Sequence, residues 1–375
     1  MQYKIAPRMP LPAQAESRRR NLGAVLRLVH ERGEVRQVEI SDALGLTRGT
    51  GISLVEELVE LGLAGQRADE SGSRRGRPSP LIGPSAGVVV VTAEIAAAAV
   101  RVDVVALGGT PLAGIDLPIV PSDIGPKRTF RRVAAATASL LDETPEVRVV
   151  GAAVAVHGAV DDHRRVVFAP NLGWDGTDVG ALDDLLAGAL PHRRVPPVVV
   201  GNDADLGALG ELRRGAGRGR SHFLYLSAER GVGGGIVADG QVQLGANGFA
   251  GEVGHLKVGT GTHTCACGQR GCWETEIGSA ALDRGDADPT QVAAWLGRGL
   301  GVLVPLLQPG LVVLGGHLAD LLPAHRGTID AAVLETCPPR LAGALDLVPS
   351  ELGKEAALVG AAEVAFEQLL SDPAG

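Results

Sequence analysis

Three of the four cysteines fall within eight positions, as Cys265-x-Cys267-x4-Cys272, and His255 lies ten residues before the first of them. Thiolates are soft, polarisable ligands and imidazole is borderline, so this set suits a tetrahedral Zn2+. Gly268 and Gly271 let the backbone turn tightly enough for the three sulfurs to converge. Four ligands (His255, Cys265, Cys267 and Cys272) leave no open coordination position. The expected ion is therefore structural, one per chain, rather than hydrolytic. Two alternatives stand beside this one. His263 could replace His255 as the fourth ligand, or two of the thiols could form a disulfide, although nothing else in the chain looks secreted. Cys337 is expected to be an ordinary buried thiol.

A chain of 375 residues with 45% hydrophobic content can bury a large core and form two or three domains. The N-terminus, MQYKIAPRMPLPAQAESRRR, lacks the apolar core of a signal peptide, and no run of 18 apolar residues occurs. The expectation is a cytoplasmic protein with no membrane partner. Net charge is −8 overall, but residues 1–84 carry 13 Lys/Arg against 10 Asp/Glu, which leaves −11 for the rest. A basic segment on an acidic body fits a DNA-reading head joined to a sensor.

Within that head, SRRRNLGAVLRLVHER (17–32) places Leu22, Val25, Leu26 and Val29 at helical spacing. A short helix is expected over Gln37–Leu44, with Ile40 and Ala43 inward. After the turn at Gly45-Leu46, Thr47 can cap a third helix running to about Leu61. That helix is expected to bury Ile52, Val55, Leu58 and Val59, and to present Thr47, Arg48, Thr50 and Ser53 to phosphates or base edges. This is a helix-turn-helix pattern, whose second helix enters the major groove. Leu63–Gln66 and Leu81–Val89 could pair as a wing around ADESGSRRGRPSP. There Arg74, Arg75 and Arg77 fit a narrow minor groove. The bland alternative is a three-helix cap with a solvated basic loop.

From Gly87 onward, apolar runs alternate with helices. GVVVVTAEI, AVRVDVVAL, VRVVGAAVAV, PPVVVGND, FLYLSA, GGGIVAD and LVVLGG look like buried strands. Helices are expected over 127–143, 178–189, 205–214, 289–307, 318–335 and 356–370. The recurrence implies two similar lobes around a cleft, with ligands at strand carboxyl ends. Periodicity alone does not separate an actin-like arrangement from other doubled α/β folds.

Head, body and cysteine motif together resemble the ROK family of repressors, open reading frames and sugar kinases. The resemblance runs from about Arg18 to the C-terminus. It rests most specifically on GANGFAGEVGHLKV followed by CACGQRGCWE, and is supported by PNLGW, GNDADLGALGE, GVGGGIVADG and VVLGG. It implies an α/β chain with an N-terminal winged helix-turn-helix (1–84) and a two-lobed actin-like (ribonuclease H-like) domain (85–375) holding a structural zinc site. The lobes would span about 85–200 plus the C-terminal helix, and about 201–350. It also implies a sugar site at Asn202, Asp203, Glu252, His255 and Glu274, and a homodimer or homotetramer. Carboxylates and amides suit paired hydroxyls, each both donor and acceptor. For these residues plainer roles stay open: Asp203 and Asp205 as helix caps, Glu252 and Glu274 as surface carboxylates, Asn171 as a turn former.

Kinases of that family carry Asp-x-Gly-Gly-Thr on the first hairpin of the body. Here the corresponding stretch is Glu94-Ile95-Ala96-Ala97-Ala98, which removes the glycines that admit a phosphate and the hydroxyl beside them. The second glycine run, Gly231 to Gly235, survives, although such runs also serve packing. His157-Gly158 replaces a Pro-Gly common in relatives. The expectation is therefore a non-enzymatic regulator, probing operator DNA and a sugar or sugar-derivative effector. Its rivals are an active ATP-dependent sugar kinase with a fused DNA-binding head and a sensor that answers a protein partner.

Overall fold

The computed structural model describes residues 13–68, 79–285, 288–343 and 345–375. The head comprises α1 (Ala13–Arg32), β1 (Val35–Arg36), α2 (Gln37–Ala43), α3 (Arg48–Glu60), β2 (Ala64–Arg67) and β3 (Leu81–Pro84). Its strands form one antiparallel sheet in the order β1-β3-β2, so the expected wing pairing is present, joined by a third strand. The run 81–89 is not one strand, however. It breaks after Pro84, and β4 (Val88–Ile95) belongs to the body. The expected minor-groove arginines Arg75 and Arg77, with Arg74, lie outside the described residues.

The buried stripe of α3 differs from the expected one. Gly51, Leu54, Val55 and Leu58 are buried, whereas Ile52 and Val59 are exposed. Val55 and Leu58 are buried as expected, but the stripe extends to Gly51 and Leu54 on one side of them rather than to Ile52 and Val59 on the other. Ala43 is likewise exposed, while Ile40 is buried.

The body continues with β5 (Val100–Ala106), β6 (Pro111–Leu117), α4 (Pro121–Ile124), α5 (Pro126–Glu143) and β7 (Arg148–Val156). Then come β8 (Ala159–Val160), β9 (Arg165–Phe168), β10 (Thr177–Asp178), α6 (Ala181–Ala189) and β11 (Val199–Asn202). The helix expected from Asp178 thus starts three residues later, after a short strand. Next are α7 (Asp203–Arg214), β12 (Phe223–Ala228), β13 (Val232–Ala238) and β14 (Gln241–Val242). A 3-10 turn at Val253–His255 leads to α8 (Glu274–Ile277), α9 (Ser279–Asp283) and α10 (Pro289–Leu307). The chain closes with β15 (Leu311–Gly316), α11 (His317–Thr336), α12 (Pro339–Ala342), β16 (Asp346–Pro349) and α13 (Ala356–Ser371).

Two five-stranded sheets repeat one topology. The first runs β11-β7-β4-β5-β6 and the second β16-β15-β12-β13-β14. In each, a three-strand antiparallel meander continues through two parallel strands. Strands β4 and β5 of the first sheet are buried on both faces, which explains their unbroken apolar runs, whereas the edge strand β6 is largely exposed. Val89, Val91 and Ala93 face α5 and α6, while Val88 and Val90 face α13. On the second sheet Leu224 and Leu226 meet α10 and α11, and Phe223 and Tyr225 meet α7. By length and composition α10 is apolar enough to cross a membrane, but half of it is buried and it packs on α11.

Helices α7 and α13 cross between the sheets at very short range. A Cβ on Gly360 would lie 1.8 Å from the carbonyl oxygen of Leu206, and one on Gly210 would lie 2.4 Å from that of Ala356. Glycine at both positions is what lets the two backbones touch. Helix α13 also packs on α1, so Leu22, Val25 and Leu26 of the head share one core with Ala361, Phe366 and Leu370.

Candidate functional site

A cleft of about 500 Å³, within the range usual for small-molecule sites, draws its walls from both large sheets. It gathers all five residues of the expected sugar site: Asn202, Asp203, Glu252, His255 and Glu274. Asn171 also borders it, as do Phe168 and Glu229.

Asn202 is the N-cap of α7, its side-chain oxygen accepting from the N–H groups of Ala204 (2.8 Å) and Asp205 (3.1 Å). The cap is therefore Asn202 itself, not Asp203 or Asp205. Its amide donates to the carbonyl of Gly158 and to Asp203 Oδ1, both at 3.1 Å, so one bond anchors Asn202 to the backbone and the other holds Asp203. Glu274 is buried at the start of α8, and its Oε2 accepts from the N–H of Val232 at 3.1 Å. Glu252 is half-buried, with Oε2 3.7 Å from His255 Nε2. Burial, then the carboxylates of Asp203 and Glu274, push the Glu252 carboxyl up to about 7.

The glycine run 231–235 is mostly strand β13 rather than a loop. A Cβ on Gly235 would lie 2.4 Å from Ala208 Cβ, and one on Gly233 would lie 2.7 Å from Ala204 Cβ. Close packing of β13 on α7 accounts for these two glycines.

Beside the cleft, the ligand atoms of His255, Cys265, Cys267 and Cys272 all lie within 4.8 Å of one another, an arrangement that could hold a metal ion. His255 completes the group. The four cysteines are free, so no disulfide forms. Gly268 and Gly271 both adopt positive φ, +83° and +75°, as the tight knuckle requires. Lys257 Nζ lies 3.2 Å from Cys272 Sγ and places a positive charge against that sulfur. The next residue, Trp273, is fully buried and donates from its indole to the carbonyl of Trp295 on α10 at 2.8 Å. Cys265 Sγ donates to Glu274 Oε1 at 3.1 Å, which ties the knuckle to the cleft wall, and His255 belongs to both.

The head's candidate DNA surface is partly committed to its own structure. The N–H of Thr50 donates to Thr47 Oγ1 at 3.2 Å, which makes Thr47 the N-cap of α3 as expected, and the two hydroxyls are 2.8 Å apart. Ser53 Oγ accepts from Arg18 Nη2 at 3.2 Å, and Arg18 also pairs with Glu57. Arg48 is exposed at the start of α3.

A profile of the ROK family matches residues 125–289. A glucokinase from Halalkalibacterium halodurans is 30% identical over 257 residues, 56% of this chain and 74% of that protein. The chain belongs to the ROK family. The xylose repressor of Bacillus spizizenii is 27% identical over 246 residues, 59% of this ROK chain, which spans only 62% of the repressor's length. In fold, the chain resembles the crystal structure of a ROK family transcriptional regulator, a homologue of the E. coli MLC protein. The TM-score is 0.74 at 22% identity, covering 95% of this chain and 97% of that one. The actin-like ROK architecture is thereby shown.

One contact in this ROK chain joins residues that the sequence noted only singly. His157 Nε2 is 3.2 Å from Glu94 Oε1 and 3.6 Å from Asp203 Oδ2. Burial alone would lower the imidazole. The charges of Asp203 and Glu94 and the hydrogen bond to Glu94 outweigh it and hold His157 protonated up to about 10. Glu94 is the penultimate residue of β4, and the hairpin turn that follows is closed by the N–H of Ala96 donating to the carbonyl of Ala99 at 3.0 Å.

Proposed function

We propose that this protein is a sugar-responsive transcriptional repressor of the cytoplasm, binding operator DNA through its winged helix-turn-helix as a homodimer or homotetramer. The observation that carries this is the path of α13. Its first turn borders the cleft at Ala357, and two turns later Glu363 bonds to His30 of the head inside a common core. A ligand that prefers one lobe arrangement would therefore act directly on the element that seats the head. Such coupling amounts to about 1–3 kcal/mol of differential affinity between two states. A repressor among its relatives supports the same direction.

In this account Glu252, His255, Asp203 and Glu274 meet sugar hydroxyls, and Asn202 holds Asp203 in place. Thr47, Arg48, Thr50 and Ser53 face DNA, and Arg75 and Arg77 reach the minor groove. The domain division is 1–84 for the head and 85–375 for the sensor.

The knuckle's donor set fits a structural Zn2+. Tetrahedral zinc, with Zn–S about 2.3 Å and Zn–N about 2.0 Å, separates two sulfurs by about 3.8 Å and a sulfur from a nitrogen by about 3.5 Å. Cys267 and Cys272 are 3.7 Å apart, and Cys265 Sγ is 3.6 Å from His255 Nδ1. The ion would supply rigidity and no open coordination site. His255 then keeps Nε2 for the cleft, so sugar binding and knuckle geometry are linked.

The rival is a sugar kinase, favoured by the glucokinase relative and by Asp203 in the cleft. Against it stand the alanines at 96–98, where the kinases' glycines and threonine are replaced, and the engagement of Asp203 by His157. Phosphoryl transfer depends mainly on positioning the phosphates, so losing one of two clamps should abolish it. A coupled ADP-release assay over glucose, mannose and N-acetylglucosamine tests this. No turnover above background is expected, and turnover of about 1–100 per second would make the protein a kinase.

A further inference from the structure

We propose that the cleft takes an uncharged sugar and excludes the phosphate ester of that sugar, with His157 as the residue that fixes this choice by directing its charge onto Glu94 and Asp203. This rests on the cleft being the sugar site, as proposed above.

Six carboxyl groups border the cleft: Glu94, Asp203, Glu229, Glu252, Glu274 and Asp320. Facing them are His157, His255 and Lys354, and among the described residues no arginine borders it. Phosphate recognition usually draws on guanidinium forks, lysines or open helix N-termini. Lys354 is exposed at the rim, in the 3-10 turn Gly353–Glu355. His157 is nearly enclosed, and its Nε2 already faces two carboxylates at 3.2 and 3.6 Å. Its charge is consequently compensated inside the protein and not offered to a ligand.

Two helix ends give the same answer. Three long helices begin at the cleft; α7 and α11 carry acids in their first turns and α13 does not. The first turn of α7 carries Asp203 and Asp205, and that of α11 carries Asp320. The positive ends of α7 and α11 thus meet the chain's own acids, where a phosphate would otherwise be welcome. A dianion entering this half-desolvated space would meet charge of its own sign on several sides. A neutral sugar would meet acceptors for its hydroxyls, with Lys354 only at the rim.

The test is calorimetric titration of the full-length protein with D-glucose, D-mannose and N-acetyl-D-glucosamine, each paired with its own 6-phosphate. At least one parent sugar should bind, with its 6-phosphate at least about 100-fold weaker. An ester that binds as tightly as its parent, or tighter, would overturn the proposal while leaving a sugar-responsive regulator standing. Failure of every parent and every ester to bind would overturn the sugar-cleft reading itself, and this proposal with it. Glu94→Gln would leave His157 with Asp203 as its one carboxylate partner, so that part of its charge is offered to the ligand, and should narrow the ratio between parent and ester about tenfold. An unchanged ratio would remove His157 as its cause.

Discussion

His30 of the head and Glu363 of the C-terminal helix meet at 3.2 Å inside the protein core, His30 fully buried and Glu363 only 6% exposed. The N–H of Gly108 donates to His30 Nδ1 at 2.9 Å, and His30 Nε2 lies between Glu363 Oε1 and, at 2.8 Å, Arg214 Nη2. Arg214 completes the group, donating to Glu363 Oε1 at 2.7 Å and to the carbonyl of His30 at 3.1 Å. Head, α7 and α13 are thereby tied at one point. Nearby, Arg27 forks onto Glu367 at 2.7 and 3.1 Å, and Arg19 pairs with Asp372.

That junction makes stability depend on acid. Burial would raise the Glu363 carboxyl, but the hydrogen bond from His30 and the Arg214 guanidinium hold it down to about 2, against 4.5 when unfolded. A carboxylate whose folded value is depressed contributes fully above the unfolded value and loses that contribution as pH falls towards the folded one. Glu363→Gln should therefore cost roughly 3 kcal/mol in urea unfolding at pH 6, with the gap to the parent shrinking between about pH 4.5 and 2. A gap that stays constant from pH 6 to pH 3 would show that the carboxylate's charge is not what holds the head.

The proposed zinc knuckle yields a second expectation. Cys265→Ser should purify without its zinc and unfold at lower temperature, because a structural ion's binding energy is part of the folding energy. Plasma emission spectrometry that still finds one zinc per chain would refute the ligand set.

Support of the knuckle from α10 can be tested separately. A Cβ on Gly299 would fall 2.0 Å from Trp273 Cε2, with backbone and fully buried ring both unable to yield cheaply. Gly299→Ala should destabilise the sensor by about 1–3 kcal/mol. A variant as stable as its parent in thermal unfolding would mean that Trp273 is not packed as described.

In the head, Arg48→Ala should weaken operator binding and reduce the salt slope by about one, the value of one phosphate contact. Arg77→Ala should act the same way from the wing. Identical affinity and slope in a gel-shift salt series would take these residues off the DNA surface.

How far the sequence foretold these features depends on how local they are. The knuckle was legible because Cys265, Cys267 and Cys272 converge through nearby turns, and His255 lies only ten residues away. The cap at Thr47 was legible for the same reason. The buried stripe of α3 was not: two apolar series with the same period compete there, and only packing against α1 and α2 selects Leu54 over Ile52. A direct comparison follows, in which Leu54→Ala should cost about 2–5 kcal/mol and Ile52→Ala under about 0.5. Equal losses in urea unfolding would contradict the observed face.

The His157 contact was hidden for a longer-range reason. Glu94, His157 and Asp203 stand at the carboxyl ends of β4, β7 and β11, and only the register of three parallel neighbours brings them together. Ile95 lies opposite Val156, which in turn lies opposite Asn202. Each residue was noticeable alone, as an acid, a replacement for proline and an acid after a strand. Their meeting is a property of the sheet. Fixing of the head through His30, Arg214 and Glu363 was equally silent, since its members are 149 to 333 positions apart.

The most direct measurement is selection of bound duplexes from a random DNA pool by the full-length protein, with and without the sugar that binds it in calorimetry. The account predicts enrichment of an inverted-repeat site, and release of that site when the sugar is present. A pool that stays random after repeated rounds, or a selected site whose binding is indifferent to the sugar, would contradict it.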